Sequence, residues 1–342
     1  MAASKMYVGF LILCSAIILV VYLQTQITSL SQKNDHLERL VQNLQQTSAQ
    51  NVIAANQNVN NINKADDIIV IYNRVPKTGS TSFVGVAYDL CKRNDFRVLH
   101  INVTANMHVM SLENQYKFAH NVSKWNKLKP AFYHGHIAYL DFSRLGGPSS
   151  PLFINLLRKP LDRLVSYYYF LRNGDNFRPY LMRKKHGNKM TFDECVELKQ
   201  PDCDPNNMWL QIPFLCGHAA ECWEPGSRWA LEEAKRNLIN NYFLVGLTEQ
   251  LEDFIRILEN SLPRIFKGAT EYYQTSNKSH LRQTVAKLEP MEKTVAAIKK
   301  SAIWQMENDL YQFAANHFAH VKKKFLTPNG LPQTFFYEKI RP

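Results

Sequence analysis

The chain has 342 residues, 45% hydrophobic and 20% charged, and its 41 Lys and Arg outnumber 29 Asp and Glu for a formal net charge of +12. This composition argues against disorder as the default and provides for one large or two small domains with a substantial core. The positive surplus calls for an acidic partner.

Residues 6–23, MYVGFLILCSAIILVVYL, carry no charge. At about 1.5 Å rise per residue they are just long enough to cross a hydrocarbon core. A cleaved signal peptide fits less well, because the run exceeds the usual ~7–15 apolar residues and no small-x-small site closes it. The expectation is a signal-anchor with residues 1–5 as a cytoplasmic tail. Asn102-Val-Thr104, Asn121-Val-Ser123 and Asn277-Lys-Ser279 are glycosylation triplets if the large C-terminal part is luminal. Nucleic acid is then in the wrong compartment, and a polyanionic glycan suits the charge better.

Residues 24–65 are rich in Gln, Asn and Ser, as in a luminal stem. Leu23, Leu30, Leu37 and Leu44 recur every seven residues, with Ile27 and Val41 between them and Asn34 as a polar interruption. The pattern reads as a short coiled coil that would join copies of the chain, or as a flexible stem with chance leucines.

From Asp66 to the C-terminus the pattern is that of an α/β catalytic domain. Strands are expected over 68–75, 97–102, 131–137, 152–158 and 242–248, and helices over 80–92, 161–171, 228–240 and 251–262. This alternation predicts a parallel sheet flanked by helices, with ligands at the C-terminal ends of the strands. The first strand runs into VPKTGSTSF, a small basic loop opening a helix. Backbone N–H groups at a helix N-terminus and a Gly/Ser/Thr loop favour an anion, and Lys77 adds a full charge. The loop resembles a phosphate-binding loop, but the GxxxxGK[ST] pattern is absent, so a nucleoside triphosphate is not the obvious ligand.

The fourth strand leads into a second such junction, where Arg158 ends the strand and Ser166 stands two turns into the next helix. Both residues are placed to point back at one phosphate. Between the junctions, FYHGHIAYL sets His134 and His136 two apart on an expected strand, hence on one face. Imidazole near neutrality suits proton removal from a hydroxyl, although a pair of structural histidines fits the residues alone as well. LRNGDNFRPYLMRKKHGNK then supplies Arg172, Arg178, Arg183, Lys184, Lys185, His186 and Lys189, either a polyanion grip or a solvated basic loop. Of six cysteines, Cys195, Cys203, Cys216 and Cys222 cluster; local disulfides 195–203 and 216–222 are the simplest pairing, and a zinc site is the alternative. No carboxylate cluster stands ready to hold a metal.

Two anion sites at two strand ends make the combination recognisable. Lys77 to Ser82 resembles the 5′-phosphosulfate loop of the sulfotransferases, and Arg158 with Ser166 resembles their 3′-phosphate site. YNRVPKTGSTSF, FYHGHIAYLDF, RLVSYYYFLR, TFDEC, WLQIPF, CGHAAECW and FFYEKI more narrowly resemble the heparan sulfate 2-O-sulfotransferase family, in order, from Asp66 to the C-terminus. The resemblance implies a P-loop-like sulfotransferase fold with 3′-phosphoadenosine 5′-phosphosulfate (PAPS) as donor and no metal. It implies Lys77, Thr78, Gly79, Ser80 and Thr81 around the 5′-phosphate, with Lys77 also neutralising the leaving oxygen. His136 would be the general base with His134 assisting, and Ser279 and Thr284 would close over the nucleotide. Arg74, Arg178, Arg183 and Lys184 would contact a heparan sulfate acceptor. It further implies a homotrimer whose C-terminal tail packs near a neighbour's site, in the Golgi membrane as a single-pass type II protein. A glycan on Asn277 would obstruct the nucleotide, leaving Asn102 and Asn121 as the expected acceptors. The chain departs from the family pattern at Lys159, where an acidic residue is usual, at Gly79 in place of alanine, and at Met182 in place of a basic residue. Uronyl 2-O-sulfation of dermatan or chondroitin sulfate is the neighbouring reading, and a heparin-binding membrane protein without catalysis the more distant one.

Overall fold

The computed structural model describes Gln24 and residues 67–103, 107–145, 151–276 and 283–327. The expected membrane span, the expected stem apart from Gln24, Asn277, Ser279 and the C-terminal tail lie outside the described residues. Among the described residues, no helix is long and apolar enough to cross a membrane.

Five strands, β1 (Ile69–Asn73), β2 (Arg97–Ile101), β3 (Ala131–Gly135), β4 (Leu152–Leu157) and β5 (Tyr242–Leu247), form one sheet in the order β2-β3-β1-β4-β5. Every pairing is parallel. Parallel neighbours need long crossovers, and helices supply them. These are α1 (Ser80–Leu90), α2 (Leu112–Lys124), α3 (Pro160–Asn173), α4 (Phe192–Glu197), α5 (Gln211–Cys216) and α6 (Arg228–Asn240). Beyond β5 follow α7 (Leu251–Ser261), α8 (Pro263–Phe266), α9 (Ala269–Thr275), α10 (Glu292–Lys299) and α11 (Ala302–Phe325).

Covered on both faces, a central parallel strand reads as an unbroken apolar run, and β1 is buried at every position. Phe83, projecting from α1, meets the rings of Tyr72, Phe132, Phe254 and Phe266 with centroids 5.2–6.0 Å apart. This aromatic cluster ties the first helix to β1, β3, α7 and α8 in one core. β1 lies between β3 and β4, so the chain reverses direction across the sheet there and the C-terminal ends of these three strands border a crevice.

All five expected strands are present, and β3 is shorter than expected. It ends at Gly135, after which the Ala138 amide turns to the His108 carbonyl (2.8 Å) and that of Tyr139 to Phe214 (2.8 Å). His136 therefore lies just past the strand rather than on it beside His134. The four clustered cysteines form the disulfides Cys195–Cys203 and Cys216–Cys222, which leaves them no role as zinc ligands.

Candidate active site

The loop between β1 and α1 bends sharply, with Lys77 (φ 68°) and Gly79 (φ 73°) both in the left-handed region. At 79 glycine meets no steric penalty, whereas any other side chain would also stand 3.2 Å from Thr248 Cγ2. For Lys77 the conformation is strained and is held by its surroundings. Its carbonyl accepts from Arg158 Nη1 (3.2 Å), its Nζ donates to Thr284 Oγ1 (2.9 Å), and the ammonium stands 4.3 Å from the Phe170 ring centroid. Ser80 Oγ accepts from Arg74 Nη2 at 3.2 Å. Thr78 differs from its neighbours: it is fully buried, and its hydroxyl donates inward to the Val75 carbonyl (2.9 Å), bracing the loop. Thr248, just past β5, places its hydroxyl 2.9 Å from the Thr78 carbonyl and 3.0 Å from that of Leu157, joining loop and β4.

Above this loop opens a cleft of about 640 Å³, within the range of small-ligand sites. Its walls carry Arg74, Lys77, Arg158 and Lys287, the hydroxyl residues Ser80, Thr81, Ser82, Ser166, Thr248 and Thr284, and no carboxylate among the described residues. Gly79 and His136 also line it, as do Tyr167, Phe170, Leu251 and Tyr273, which offer apolar surface. Ser166 Oγ and Thr284 Oγ1 lie 3.3 Å apart, so Thr284 links the α3 side of the cleft to Lys77. Four cations, several hydroxyls, helix N-terminal amides and an apolar wall suit an anionic nucleotide with separated phosphates. The expected residues Arg74, Lys77, Gly79, Ser80, Thr81, His136, Arg158, Ser166 and Thr284 thus share one cleft.

The two histidines occupy different environments. His136 Nδ1 lies 2.8 Å from the Arg74 carbonyl oxygen. A carbonyl only accepts, so the proton is on Nδ1 and the lone pair on Nε2. Burial, and then the Arg74 charge, hold the His136 pKa down to about 4, against the opposing pull of that carbonyl. His134 does not line the cleft; its Nδ1 lies 3.3 Å from Arg74 Nη1 and its Nε2 3.0 Å from the Tyr88 hydroxyl. Directly across the sheet, His100 pairs with it in register and stacks on its ring at 4.9 Å. Burial, then the Arg74 charge, lower its pKa to about 3. Between the histidines, Gly135 faces β2 so closely that a Cβ would stand 2.6 Å from the Ile101 carbonyl oxygen.

The basic segment does not act as one grip. Arg183 bonds the buried Asp175 carboxylate (3.2 Å) and lies 4.3 Å from the Phe170 centroid, the ring that Lys77 also approaches. Arg172 is buried on Tyr168 and pairs with Asp202 at 2.8 Å. Arg178 and Lys184 are exposed, and neither they nor Arg183 line the cleft. Asn102 and Asn121 are both exposed, the latter on α2. Among the described residues, no group of three or more His, Cys, Asp or Glu side chains is arranged to hold a metal ion.

Sequence reasoning missed Tyr88, His100, Thr248, Leu251 and Tyr273, which reach the site only through sheet register or helix return. Tyr167 and Phe170 had a signal, because the helix after Arg158 reads SYYYF, and a helix bearing four aromatics in a row cannot bury them all on one face.

A family model described as the sulfotransferase family matches residues 60–314. The chain belongs to the sulfotransferase family. Among its relatives, a Drosophila melanogaster "Heparin sulfate O-sulfotransferase" is 68% identical over 278 residues, covering 81% of this chain and 80% of that protein. The Gallus gallus "Heparan sulfate 2-O-sulfotransferase 1" is 51% identical over 94% of this chain and 93% of its own length. Its Homo sapiens counterpart is 49% identical over 94% and 92%. In a sulfotransferase, a cleft lined by four cations and several hydroxyls fits a nucleotide sulfuryl donor.

Proposed function

We propose that this sulfotransferase transfers a sulfuryl group from PAPS to the 2-hydroxyl of a uronic acid, mainly iduronic acid, in heparan sulfate. The observation carrying the reading is the His136 tautomer: its Nδ1–H is given to the Arg74 carbonyl, and its Nε2 lone pair belongs to a residue of the same cleft as Lys77 and Arg158. The names of the relatives supply the acceptor.

In this reading Lys77, the amides of Gly79, Ser80 and Thr81, and the hydroxyls of Ser80 and Thr81 hold the 5′-phosphate. Arg158, Ser166 and Thr284 hold the 3′-phosphate, with Ser279 beside them. Bound there, the donor supplies a sulfuryl group on a phosphate leaving group. His136 Nε2 accepts the proton of the acceptor hydroxyl as that oxygen becomes nucleophilic. Lys77 Nζ gives up Thr284 for the oxygen where negative charge grows, and because loop and cation are already in place this costs little reorganisation. Arg74 does two jobs, its carbonyl fixing His136 and its guanidinium bracing Ser80. His134 keeps Arg74 and Tyr88 in place as an assisting group, and Arg178, Arg183 and Lys184 form the acceptor-facing margin. In the cell, the chain is a homotrimer with a coiled-coil stem, anchored as a single-pass type II protein with its catalytic domain in the Golgi lumen.

The test supplies labelled PAPS with two acceptors side by side, an N-sulfated heparosan chain and dermatan sulfate, followed by disaccharide analysis. Label on the uronic acid 2-position of the heparan-type chain is expected. Label on dermatan sulfate instead would move the acceptor to the neighbouring uronyl enzymes, and no transfer by a nucleotide-binding protein would leave only a glycan-binding fold.

A further inference from the structure

The turn that presents Arg158 is held from outside by two parallel chains of hydrogen bonds. The Arg158 amide donates to Gln211 Oε1 (2.8 Å), and Gln211 Nε2 donates to Glu307 Oε2 (3.1 Å). The next amide, that of Lys159, donates to Glu249 Oε1 (3.1 Å), whose Oε2 accepts the Tyr311 hydroxyl (3.1 Å). Glu307 and Tyr311 stand four apart on α11, one turn of one face. Neither lines the cleft.

Glu307 is fully buried, and its other oxygen accepts the Leu210 and Ile212 amides at the start of α5 (2.8 and 3.1 Å). Burial pushes this carboxyl up, while the buried Arg163 and the three donors hold it down. A buried carboxylate is costly unless every acceptor is used, and here the uses converge on one end of α5 and, through Gln211, on Arg158. With its carboxamide nitrogen committed to Glu307, Gln211 has its oxygen set toward the Arg158 amide. An apolar pair of the same shape would fill the space but leave the Leu210, Ile212 and Arg158 amides without these acceptors.

We infer that Glu307 and Tyr311 of α11 are positioning residues for the nucleotide, acting through Gln211 and Glu249 to fix the backbone of Arg158 and Lys159 and so aim the Arg158 guanidinium at the donor's 3′-phosphate. The inference rests on the assignment of Arg158 to that phosphate.

The diagnostic change is Glu307→Gln, which keeps size and both amide contacts to α5 but turns an N–H toward Gln211. Gln211 must then flip, setting its own N–H against the Arg158 amide. The double change Glu307→Gln with Gln211→Glu reverses the link between the two side chains, restores an acceptor at Arg158 and conserves net charge. Binding of 3′-phosphoadenosine 5′-phosphate and of adenosine 5′-phosphosulfate, which lacks the 3′-phosphate, is measured calorimetrically on the full-length chain in detergent. Wild type should favour the former. Glu307→Gln should weaken it about tenfold and leave the latter within about twofold, and the double variant should recover most of the loss. Tyr311→Phe, which removes one hydroxyl, should shift the same ratio in the same direction and serves if Glu307→Gln does not fold. Variants that lose both nucleotides equally, or lose thermal stability with the ratio unchanged, overturn the inference and leave α11 a structural helix. A wild type that binds both nucleotides alike overturns the assignment of Arg158 instead, and the inference with it.

Discussion

The Arg74 carbonyl oxygen accepts the Nδ1 proton of His136 at 2.8 Å, so the tautomer of the cleft histidine is set by the backbone of the residue whose guanidinium braces the phosphate-type loop. In the proposed mechanism, removing the imidazole removes the base and leaves the groups assigned to the nucleotide in place. His136→Ala is expected to lower sulfate transfer by about 10²–10⁴-fold. Thermal stabilisation by 3′-phosphoadenosine 5′-phosphate should persist in the variant; loss of that stabilisation as well would place His136 among the nucleotide ligands.

The acid limb of the rate profile should lie well below that of an ordinary histidine. Burial and the Arg74 charge keep His136 near 4, so the base form dominates above about pH 5. The profile of kcat/KM for the acceptor, which reports the free enzyme, should be level from about pH 5.5 to 7. A half-maximal point near 6.5 would mean that a different, unperturbed histidine takes the proton.

Stability should fall on the same side. His134 and His136 titrate at about 3 and 4 when folded and near 6.5 when unfolded. Below pH 6.5 the unfolded chain therefore binds more protons than the folded one. The contribution is complete above about pH 6.5 and is lost as pH falls toward 4, at a slope of up to about 1.4 kcal/mol per pH unit for each ring. His108 and His218, lowered mainly by burial, act in the same direction. Melting temperatures at pH 7, 5.5 and 4.5 should show the decline, and His134→Gln should make it shallower; parallel curves would assign it to other groups.

Lys77 stands in the loop itself with its Nζ on Thr284 Oγ1, and Lys77→Ala should cost about 10²–10³ in kcat by analogy with loss of a single charge-stabilising donor. Because Arg158 and the loop amides remain, KM for the donor should rise far less. A defect confined to KM would make Lys77 a binding group only.

Arg183 is tied into the fold before any acceptor arrives. Its Asp175 partner is fully buried and also accepts the Phe177 and Arg178 amides, so Arg183→Ala removes a charged partner from a buried carboxylate. The cost should be about 1–3 kcal/mol in urea unfolding. An unchanged midpoint would show that the pair contributes nothing to the fold and free the residue for acceptor contact alone.

The order of strands and helices around the site was legible because burial on both faces leaves β1, β4 and β5 as apolar runs, and the loops at their ends are chemically unlike their flanks. Arg158 and Lys77 were visible for the same reason. The separation of His134 from His136 was not, since a period-two pattern says nothing about where a strand stops, and β3 stops between them. Tyr88, His100 and Thr248 are ordinary residues in sequence and gain meaning only from neighbours in space. Helix α11 lay outside the expected helices, and Glu307 reads as a surface charge until its burial is seen.

Gly135 gives the His-x-His spacing a cost elsewhere in the molecule. A single methyl group there would push into the Ile101 carbonyl, and β2 is the edge strand of the sheet, paired on one side only among the described residues. The strand would yield first, carrying His100 away from His134. Randomising position 135 should therefore return glycine almost alone, and any surviving alanine would be expected to bring a compensating change within 97–101. The edge of the sheet and the spacing of the histidines can vary only together, as two ends of one inheritance.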